Sequence, residues 1–332
     1  MSFESKNKIL IVCGPTATGK TKLGLALAKK FAGEIVNADS RQVYLGMDIG
    51  TGKDIPAISN FQFLISKQFS NSKFKIGYYE IDKIKIWLLD IVKPDYQFNV
   101  ADYKKCADFV IKDILNRGKL PIVVGGTGFY LKALTDEIET LGIEPDWELR
   151  KSLQDSKVSE LQKKLQTFDL GRAKKMNESD WQNPRRLIRA IEIAIKTKNS
   201  KLKTQNQIIK SKFDYLIVGL FAASKILYQK IDQRVEERVQ AGIENEIKSL
   251  LVKGYTWENS ALGTTLAYSE WQDYLIKDKS KEEVIKKWKF DEHDYARRQM
   301  TWFKKTPNIN WFDIFENNWQ EKVEKLANSW YS

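Results

Sequence analysis

The sequence predicts an α/β fold in which a P-loop NTPase-like core of parallel strands carries an inserted helical domain. An unbroken apolar run at residues 9–13 leads into a match to G-x-x-x-x-G-K-[ST] at residues 14–21, and apolar residues then recur at helical spacing. A strand, a phosphate loop and a helix in this order are typical of a parallel sheet. We expect the first part of the core at residues 1–145, the helical insertion at 146–210, and the remaining core with C-terminal helices at 211–332.

Length and composition narrow the functional classes. The chain has 332 residues, enough for a large core and two units, and its formal net charge of +12 indicates a polyanionic partner. Two cysteines and one histidine, His293, leave no disulfide or zinc framework, so acid–base chemistry must use carboxylates or lysines. Residues 1–6 lack the apolar segment of a signal peptide, and no uncharged run reaches membrane-spanning length, which predicts a cytoplasmic protein without a membrane partner.

The glycine-rich loop at residues 14–21 is predicted to hold a phosphate compound. Its glycines allow backbone N–H groups to turn inward around phosphate oxygens at the start of a helix. Lys20 adds a positive charge, and the Thr21 hydroxyl can ligate Mg²⁺. The motif leaves open which phosphate compound is bound.

Polar and glycine residues follow other predicted strands. The apolar run 35–38 leads into Asp39-Ser40-Arg41-Gln42, and residues 121–124 lead into Gly125-Gly126-Thr127-Gly128. Open α/β sheets place their chemistry at the carboxyl ends of strands, which favours a ligand near both segments. Gly50-Thr51-Gly52-Lys53 looks like a second phosphate loop, but no long apolar strand precedes it, so we interpret it as a turn near the site.

Residues 61–91 are predicted to form a hairpin and then a buried strand. Apolar residues alternate at 61–65 and 73–76, a pattern typical of antiparallel strands. The later run at 86–89 ends in Asp90. This carboxylate is either a partner for a metal ion or an acid that only caps a strand.

The predicted insertion contains an arginine-rich helix. Asn183-Pro184 is a good N-cap and first-turn pair, and Arg185, Arg186 and Arg189 follow on the first turns. Cations at a helix N-terminus oppose the helix dipole. This misfit favours an anionic partner over a solvated face.

The last long helix, predicted at residues 281–305, mixes basic and aromatic side chains. Cations and rings alternate along it: Lys286, Lys287, Lys289, Arg297, Arg298, Lys304 and Lys305 with Trp288, Tyr295, Trp302 and Phe303. Such a mixture suits single-stranded nucleic acid, whose bases stack on rings while its phosphates meet cations. The alternative is an amphipathic helix whose aromatic residues belong to the core.

Three functions are compatible with a phosphate loop in a basic protein. A nucleotide kinase or other ATP-binding P-loop enzyme leaves the polar residues 39–42 and the arginine-rich helices unexplained. A non-catalytic nucleic-acid-binding protein leaves Lys20, Thr21 and Asp39 without a role. A transferase that binds a diphosphate and delivers the attached group to a nucleic acid uses all of these features.

Six segments, in their order along the chain, resemble those of tRNA dimethylallyltransferases. They are Gly-Pro-Thr-Ala-Thr-Gly-Lys-Thr at 14–21, Ala-Asp-Ser-Arg-Gln-Val-Tyr at 38–44, Asp-Ile-Gly-Thr at 48–51, Gly-Gly-Thr-Gly-Phe-Tyr at 125–130, Arg-Arg-Leu-Ile-Arg-Ala at 185–190 and Ala-Arg-Arg-Gln-Met-Thr-Trp-Phe at 296–303. The resemblance covers nearly the whole chain. It implies a P-loop core with a helical insertion and transfer of a dimethylallyl group from dimethylallyl diphosphate to N6 of adenosine 37, beside the anticodon of tRNA, with Mg²⁺. We expect a monomer that meets the anticodon stem-loop.

The resemblance also implies which residues bind each substrate. The diphosphate would be held by Gly14, Pro15, Thr16, Ala17, Thr18, Gly19, Lys20 and Thr21. The tRNA would be met by Asp39, Ser40, Arg41, Gln42, Thr127, Arg150, Arg185, Arg186, Arg189, Thr264, Tyr268, Arg297, Arg298, Gln299 and Trp302.

The predicted catalytic residues are Asp39, Lys20 and Thr16. An adenine N6 amine is a poor nucleophile because its lone pair is delocalised, so Asp39 should take its proton as the C–N bond forms. Charge builds on the departing diphosphate, where Lys20, the Thr16 hydroxyl, loop N–H groups and Mg²⁺ on Thr21 can stabilise it. Plant relatives prenylate free adenine nucleotides (AMP, ADP or ATP), which is the alternative activity.

Two segments depart from the family pattern. Ile86-Trp87-Leu88-Leu89 stands where family members usually have His-His-Leu before the strand-ending aspartate. Leu266-Ala267-Tyr268-Ser269 stands where the family has an Ile-Gly-Tyr-Lys-like sequence. Because Ser269 is neutral, we expect this region to contact tRNA through the hydroxyl groups of Thr264, Thr265, Tyr268 or Ser269.

Overall fold

A computed structural model describes residues 7–53, 62–63, 74–136, 138, 140–199 and 213–332. The chain divides into two compact units. Unit 1 comprises Met1–Asp136 and Ser211–Ser332, and unit 2 comprises Glu137–Lys210. From the sequence, the helical insertion is expected at residues 146–210.

Unit 1 is built on one sheet, to which the described residues contribute eight strands. They are β1 (Lys8–Cys13), β2 (Glu34–Asn37), β3 (Gln62–Phe63), β4 (Gly77–Ile81), β5 (Ile84–Trp87), β6 (Pro121–Val124), β7 (Asp214–Phe221) and β8 (Ile309–Asp313). Their order in the sheet is β3-β4-β5-β2-β6-β1-β7-β8. All neighbours from β5 to β8 in that order are parallel, so the predicted parallel core is confirmed.

The described helices lie between and after the strands, and they are named here in chain order. They are α1 (Lys20–Lys30), α2 (Val100–Asn116), α3 (Gly128–Thr135), α4 (Trp147–Leu153), α5 (Val158–Phe168), α6 (Leu170–Lys175), α7 (Glu178–Trp181), α8 (Pro184–Asn199), α9 (Ser224–Gln240), α10 (Ile243–Val252), α11 (Tyr268–Ile276), α12 (Lys281–Phe303) and α13 (Trp319–Tyr331). A short 3₁₀ helix, Ala261–Thr264, precedes α11. No helix of the described residues has both the length and the apolar character needed to cross a membrane.

The strand β1 shows how the sheet separates two apolar layers. Ile9, Ile11 and Cys13 belong to one buried cluster, whereas Leu10 and Val12 belong to another. Successive side chains of a strand point to opposite faces, so a strand covered on both sides has a continuous apolar sequence. Helix α2 packs on the first face, while α1 and α13 pack on the second.

The antiparallel edge of the sheet coincides in part with the predicted hairpin. Gln62 lies opposite Tyr78 in an antiparallel β3–β4 pair, whereas residues 64–73 of the predicted hairpin lie outside the described part of the chain. Strands β4 and β5 are also antiparallel and are joined at Asp82 and Lys83, whose φ angles are 51° and 65°. Two positive φ angles in succession are typical of the tight turn that connects adjacent strands.

Unit 2 is helical and has its own core. Leu161 and Leu165 on α5 and Leu187 and Ile191 on α8 are buried together. The side chain of Asn183 accepts a hydrogen bond from the N–H of residue 186 at 3.3 Å, as expected for the predicted N-cap of α8.

Candidate active site

A cleft of about 570 Å³ opens at the carboxyl ends of β1, β2 and β6. These strands are parallel neighbours, so the loops that follow them meet at one edge of the sheet. Residues from eight segments of unit 1 line the cleft, including Thr16, Ala17, Gly19, Lys20, Thr21, Asp39, Ser40, Arg41, Gln42, Gly50, Thr51, Gly52, Lys53, Gly125, Gly126, Arg234, Arg238, Thr264, Thr265, Glu292, Tyr295, Arg298 and Gln299. The structure therefore brings the phosphate loop and the polar segment after β2 together.

The phosphate loop connects β1 to α1. Gly14 has a φ of 136°, and a Cβ there would lie 2.3 Å from the carbonyl oxygen of Leu220, so the position requires glycine. Within the loop, Gly14, Pro15 and Thr18 are buried and do not line the cleft. The remaining five residues of the predicted diphosphate site line the cleft: Thr16, Ala17, Gly19, Lys20 and Thr21.

Lys20 is the cation of this loop. Its Nζ donates a hydrogen bond to the carbonyl oxygen of Pro15 at 2.6 Å. Burial lowers the pKa of Lys20 to about 8, the Asp39 carboxylate opposes this shift, and the Arg234 guanidinium adds to it. A bound anion would favour the charged amine, so Lys20 is suited to gain a proton together with an anionic ligand.

The polar segment after β2 holds a carboxylate at the cleft. Oδ1 of Asp39 accepts a hydrogen bond from the N–H of Arg41 at 2.8 Å. The N–H of Ser40 donates to Oγ1 of Thr127 at 3.0 Å, which connects this segment to the loop after β6. Arg41 Nη1 in turn donates to Oγ1 of Thr264 at 3.1 Å. A carboxylate positioned in this way can accept a proton from a bound amine.

The segment at residues 50–53 is a turn beside the cleft, as predicted. The Glu246 carboxylate accepts hydrogen bonds from the N–H groups of residues 48–50 at 2.8 to 3.2 Å. Gln42, a predicted tRNA contact, donates its side-chain amide to the carbonyls of Thr51 and Gly52. The turn is therefore a fixed wall of the cleft.

Two arginines on α9 also line the cleft, although the sequence patterns did not single them out. Arg234 Nη1 donates to Oγ1 of Thr16 at 3.4 Å. Arg238 Nη1 forms an ion pair with buried Glu292 at 3.1 Å. Residues four apart lie on one face of a helix. The spacing of Arg234 and Arg238, next to the apolar residues of α9, is therefore the sequence pattern from which these two arginines could have been predicted.

Tyr295, one of the aromatic residues in the basic and aromatic pattern of α12, also lines the cleft. Burial, followed by the nearby Asp39 charge, raises the pKa of the Tyr295 hydroxyl above its ordinary value. The hydroxyl therefore stays protonated at neutral pH and can act as a hydrogen-bond donor.

Gln299 lines the cleft, but both polar atoms of its side-chain amide form hydrogen bonds within the protein. The side chain is only 6% exposed. Its Oε1 accepts a hydrogen bond from the N–H of Thr16 at 2.9 Å, and its Nε2 donates to the carbonyl oxygen of Gly126 at 2.9 Å. Gln299 ties the phosphate loop to the loop after β6, which replaces its predicted role as a tRNA contact.

The hydroxyl-rich region around α11 is turned mostly inward. Tyr268 is completely buried and donates its hydroxyl to Glu246 at 2.5 Å, so its predicted tRNA contact is wrong. Ser269 donates its hydroxyl to a backbone carbonyl one turn earlier at 3.1 Å. Thr264 does face the cleft. Ala267 has a φ of 76°, a conformation that favours the glycine of the family pattern.

The side chains of α12 are divided between the cleft, the surface and the core. Arg298 lines the cleft, and Trp302 is 39% exposed. Arg297 is exposed but forms an ion pair within the helix. Trp288 and Phe303 are buried, so the amphipathic-helix interpretation is correct for these two rings.

In unit 2, two predicted tRNA contacts bind a buried carboxylate. Arg150 Nη2 donates to Glu192 at 2.9 Å, and Arg189 also donates to it, while Glu192 itself is 0% exposed. Burial alone would raise the pKa of Glu192, but the hydrogen bonds from Arg150 and Arg189 hold it below its ordinary value. Arg189 on α8 therefore has an internal acidic partner and does not require an external anion.

The other two arginines of α8 are exposed. Arg186 forms an ion pair with an aspartate of α7. Among the described residues, Arg185 has no ion-pair partner, which leaves it available to an anion.

Asp90 is not available as a metal partner. It is buried, forms an ion pair with Lys53, and accepts a hydrogen bond from the Tyr79 hydroxyl at 2.6 Å. No group of three or more His, Cys, Asp or Glu side chains suited to a metal ion occurs in the described ranges. The Thr21 hydroxyl is an exposed oxygen donor on the cleft wall. Mg²⁺ takes most ligands from water and substrate phosphates, so a donor of this kind fits it.

Known proteins match this chain over nearly its whole length. A family model described as IPP transferase matches residues 74–306, and one described as isopentenyl transferase matches residues 7–94. A tRNA dimethylallyltransferase from Pediococcus pentosaceus is 37% identical over 329 residues, which cover 97% of this chain and 96% of the relative. The chain belongs to the tRNA dimethylallyltransferase family. A family member from Acetivibrio thermocellus is 36% identical, with 96% of each chain covered.

Solved structures of the family share the fold. A tRNA isopentenylpyrophosphate transferase from Bacillus halodurans has a TM-score of 0.65 at 32% identity, covering 97% of this chain and 96% of that one. A eukaryotic dimethylallyltransferase acting on tRNA has a TM-score of 0.75 at 25% identity, covering 98% and 79%. This likeness confirms the predicted P-loop NTPase-like fold.

Proposed function

We propose that this protein transfers the dimethylallyl group of dimethylallyl diphosphate to N6 of adenosine 37 in tRNA, giving N6-dimethylallyladenosine. The observation that carries the proposal is the single cleft that contains the phosphate loop, the cations Lys20 and Arg234, and the carboxylate Asp39. Relatives that match nearly the whole chain are named tRNA dimethylallyltransferases, which favours tRNA over free adenine nucleotides.

The reaction exchanges one bond for another. The N6 lone pair forms a bond to C1 of the dimethylallyl group, the bond from C1 to the diphosphate oxygen breaks, and N6 loses one proton. Asp39 accepts that proton. Lys20, Arg234 and the N–H groups of the phosphate loop stabilise the charge that develops on the departing diphosphate, and the Thr16 hydroxyl is held by Arg234 for the same purpose.

The Thr21 hydroxyl is the group that would hold Mg²⁺ together with diphosphate oxygens. Bound there, Mg²⁺ supplies further neutralisation of phosphate charge. The metal is thus proposed as part of diphosphate binding, because the phosphate loop offers the Thr21 hydroxyl and the described residues contain no cage of carboxylates.

The tRNA is proposed to bind through its anticodon stem-loop. The reactive base must leave its stack to reach the cleft, where Arg41, Thr264 and Arg298 provide hydrogen-bond donors. A monomer is proposed as the active species.

The direct test is incubation of the purified protein with dimethylallyl diphosphate, Mg²⁺ and either tRNA or AMP, followed by mass spectrometry of the nucleosides. We expect prenylated adenosine from tRNA only. Asp39→Asn should retain tRNA binding and lower the single-turnover rate by about 10²–10⁴-fold, because the base is lost. Asp95→Asn, a change of an exposed aspartate outside the cleft, is the matched control. Prenylation of AMP alone would refute the proposed function, whereas a normal rate for Asp39→Asn would refute the role of Asp39 as the base.

A further inference from the structure

Two exposed aromatic rings meet beside the cleft. Phe129 on the first turn of α3 is 43% exposed, and Trp302 on the last turn of α12 is 39% exposed. Their ring centroids are 6.1 Å apart, and the ring planes are inclined by 76°. The Trp302 indole lies against Gly128, where an added Cβ would be 2.0 Å from the ring. The two rings therefore contact each other and are held against the backbone at Gly128, so they form one aromatic surface.

The position of the pair follows from its neighbours on the two helices. Arg298, which lines the cleft, precedes Trp302 by four residues, and residues four apart lie on one face of a helix. Gly126, which also lines the cleft, precedes Phe129 by three residues. Trp302 therefore lies about one helical turn from the cleft lining, and Phe129 contacts it at the same edge of the cleft.

Cations without an acidic partner accompany the rings. In the part of the chain that the structure describes, four exposed cations close in sequence to the two rings form no ion pair: Lys132, Arg298, Lys304 and Lys305. The exposed ring of Phe290, earlier on α12, has a different setting. There Lys287 pairs with Asp291, and Lys289 pairs with Glu236. By contrast, the four cations close in sequence to Phe129 and Trp302 form no ion pair, and this combination suits a ligand that has both flat apolar groups and negative charge.

We propose that Phe129 and Trp302 form a stacking surface for an RNA base next to the adenosine that enters the cleft, with the four cations facing the neighbouring phosphates. This inference rests on the proposed function and adds a second nucleotide to it. When the reactive base leaves its stack, an adjacent base loses a stacking partner, and an aromatic side chain can replace that partner. The unpaired cations favour RNA over a protein partner at this surface.

Leucine replacements test the stacking directly, because leucine keeps apolar volume but lacks an aromatic face. The probe is an anticodon stem-loop RNA with 2-aminopurine in place of the base on one or the other side of the target adenosine. The wild-type protein should quench the fluorescence of one of these probes. Phe129→Leu combined with Trp302→Leu should abolish the quenching and weaken RNA binding by about 5- to 100-fold.

Several controls separate stacking from other effects. Removal of neutral rings should leave the salt dependence of RNA binding and the affinity for a dimethylallyl diphosphate analogue unchanged. Phe290→Leu, on the same helix, should bind both probes as the wild type does. Trp302→Phe should restore most of the binding, and thermal unfolding should show that each variant is folded.

The outcomes distinguish this inference from the proposed function. If the wild type prenylates the stem-loop but the double leucine variant binds and quenches normally, the stacking surface is refuted and the proposed function stands. If the wild type modifies no tRNA, the proposed function fails and this inference fails with it. An altered salt dependence in the double variant would also refute stacking, because it would show that the change acted through the cations.

Discussion

Lys20 is a half-buried cation whose charge changes close to physiological pH. Burial lowers its pKa to about 8, while Asp39 opposes and Arg234 reinforces that shift. Below pH 8 the amine is already charged, so the affinity for the diphosphate should be nearly constant. Above pH 8 the free enzyme must take up a proton on binding, so the affinity should fall by up to about tenfold per pH unit.

Titration calorimetry with a non-reactive dimethylallyl diphosphate analogue between pH 7 and 9.5 measures this dependence. Buffers of different ionisation enthalpy should reveal proton uptake near pH 9. Lys20→Arg carries a permanent charge and should show a flatter profile. The same steep decline in both proteins would assign the titration to another group.

One side chain of helix α12, Gln299, holds two loops of the cleft together. Gln299 joins the phosphate loop at Thr16 to the loop after β6 at Gly126 by two hydrogen bonds of 2.9 Å. Gln299→Met keeps the length of the side chain and removes both bonds, so the two loops lose their connection. Two such bonds contribute roughly 2 kcal/mol, so we expect KM for dimethylallyl diphosphate to rise by about 10- to 30-fold.

Steady-state kinetics and separate tRNA-binding measurements test this role. The tRNA affinity of Gln299→Met should stay within about twofold of the wild type, since the amide already has partners inside the protein. Gln320→Met, on the exposed face of α13, is the matched control. A large loss of tRNA affinity with a normal KM would restore Gln299 as a direct tRNA contact.

The whole molecule carries a formal net charge of +12, and this charge should act on the two substrates differently. Each phosphate contact to tRNA releases counterions, so tRNA binding should weaken by at least about tenfold between about 50 and 200 mM salt. The diphosphate is proposed to bind at the half-buried Lys20, where salt screens less than at an exposed charge, so the affinity for the diphosphate should change less.

Dissociation constants at several salt concentrations provide the measurement. Lys304→Gln combined with Lys305→Gln should lower the slope for tRNA by up to about two contacts, because both lysines lack ion-pair partners among the described residues. Lys325→Gln, on the exposed side of α13, should leave the slope unchanged. Equal slopes for tRNA and the diphosphate analogue would show that the net charge has no role in tRNA recognition.

The sequence by itself determined the parallel core of the fold and the edge of the sheet at which the candidate active site lies. Continuous apolar runs such as β1 and β6 require burial on both faces, and parallel neighbours place the loops that follow them at one edge. Residues 14–21 and Asp39 follow such strands, so their position beside the cleft could be predicted from local pattern alone. The N-cap of α8 at Asn183 was predictable for the same reason, since it depends on adjacent residues.

The tertiary structure alone decided which distant side chains complete the site. Arg234 and Tyr295 join Lys20 and Asp39 from more than 190 residues away in the sequence, and no local pattern contains that proximity. Tyr268 carries the same hydroxyl whether it is buried or exposed, and only packing against Glu246 turns it inward. Hydrophobic periodicity specifies which face of an element is buried, but the partner of a polar group is specified by the elements packed against it.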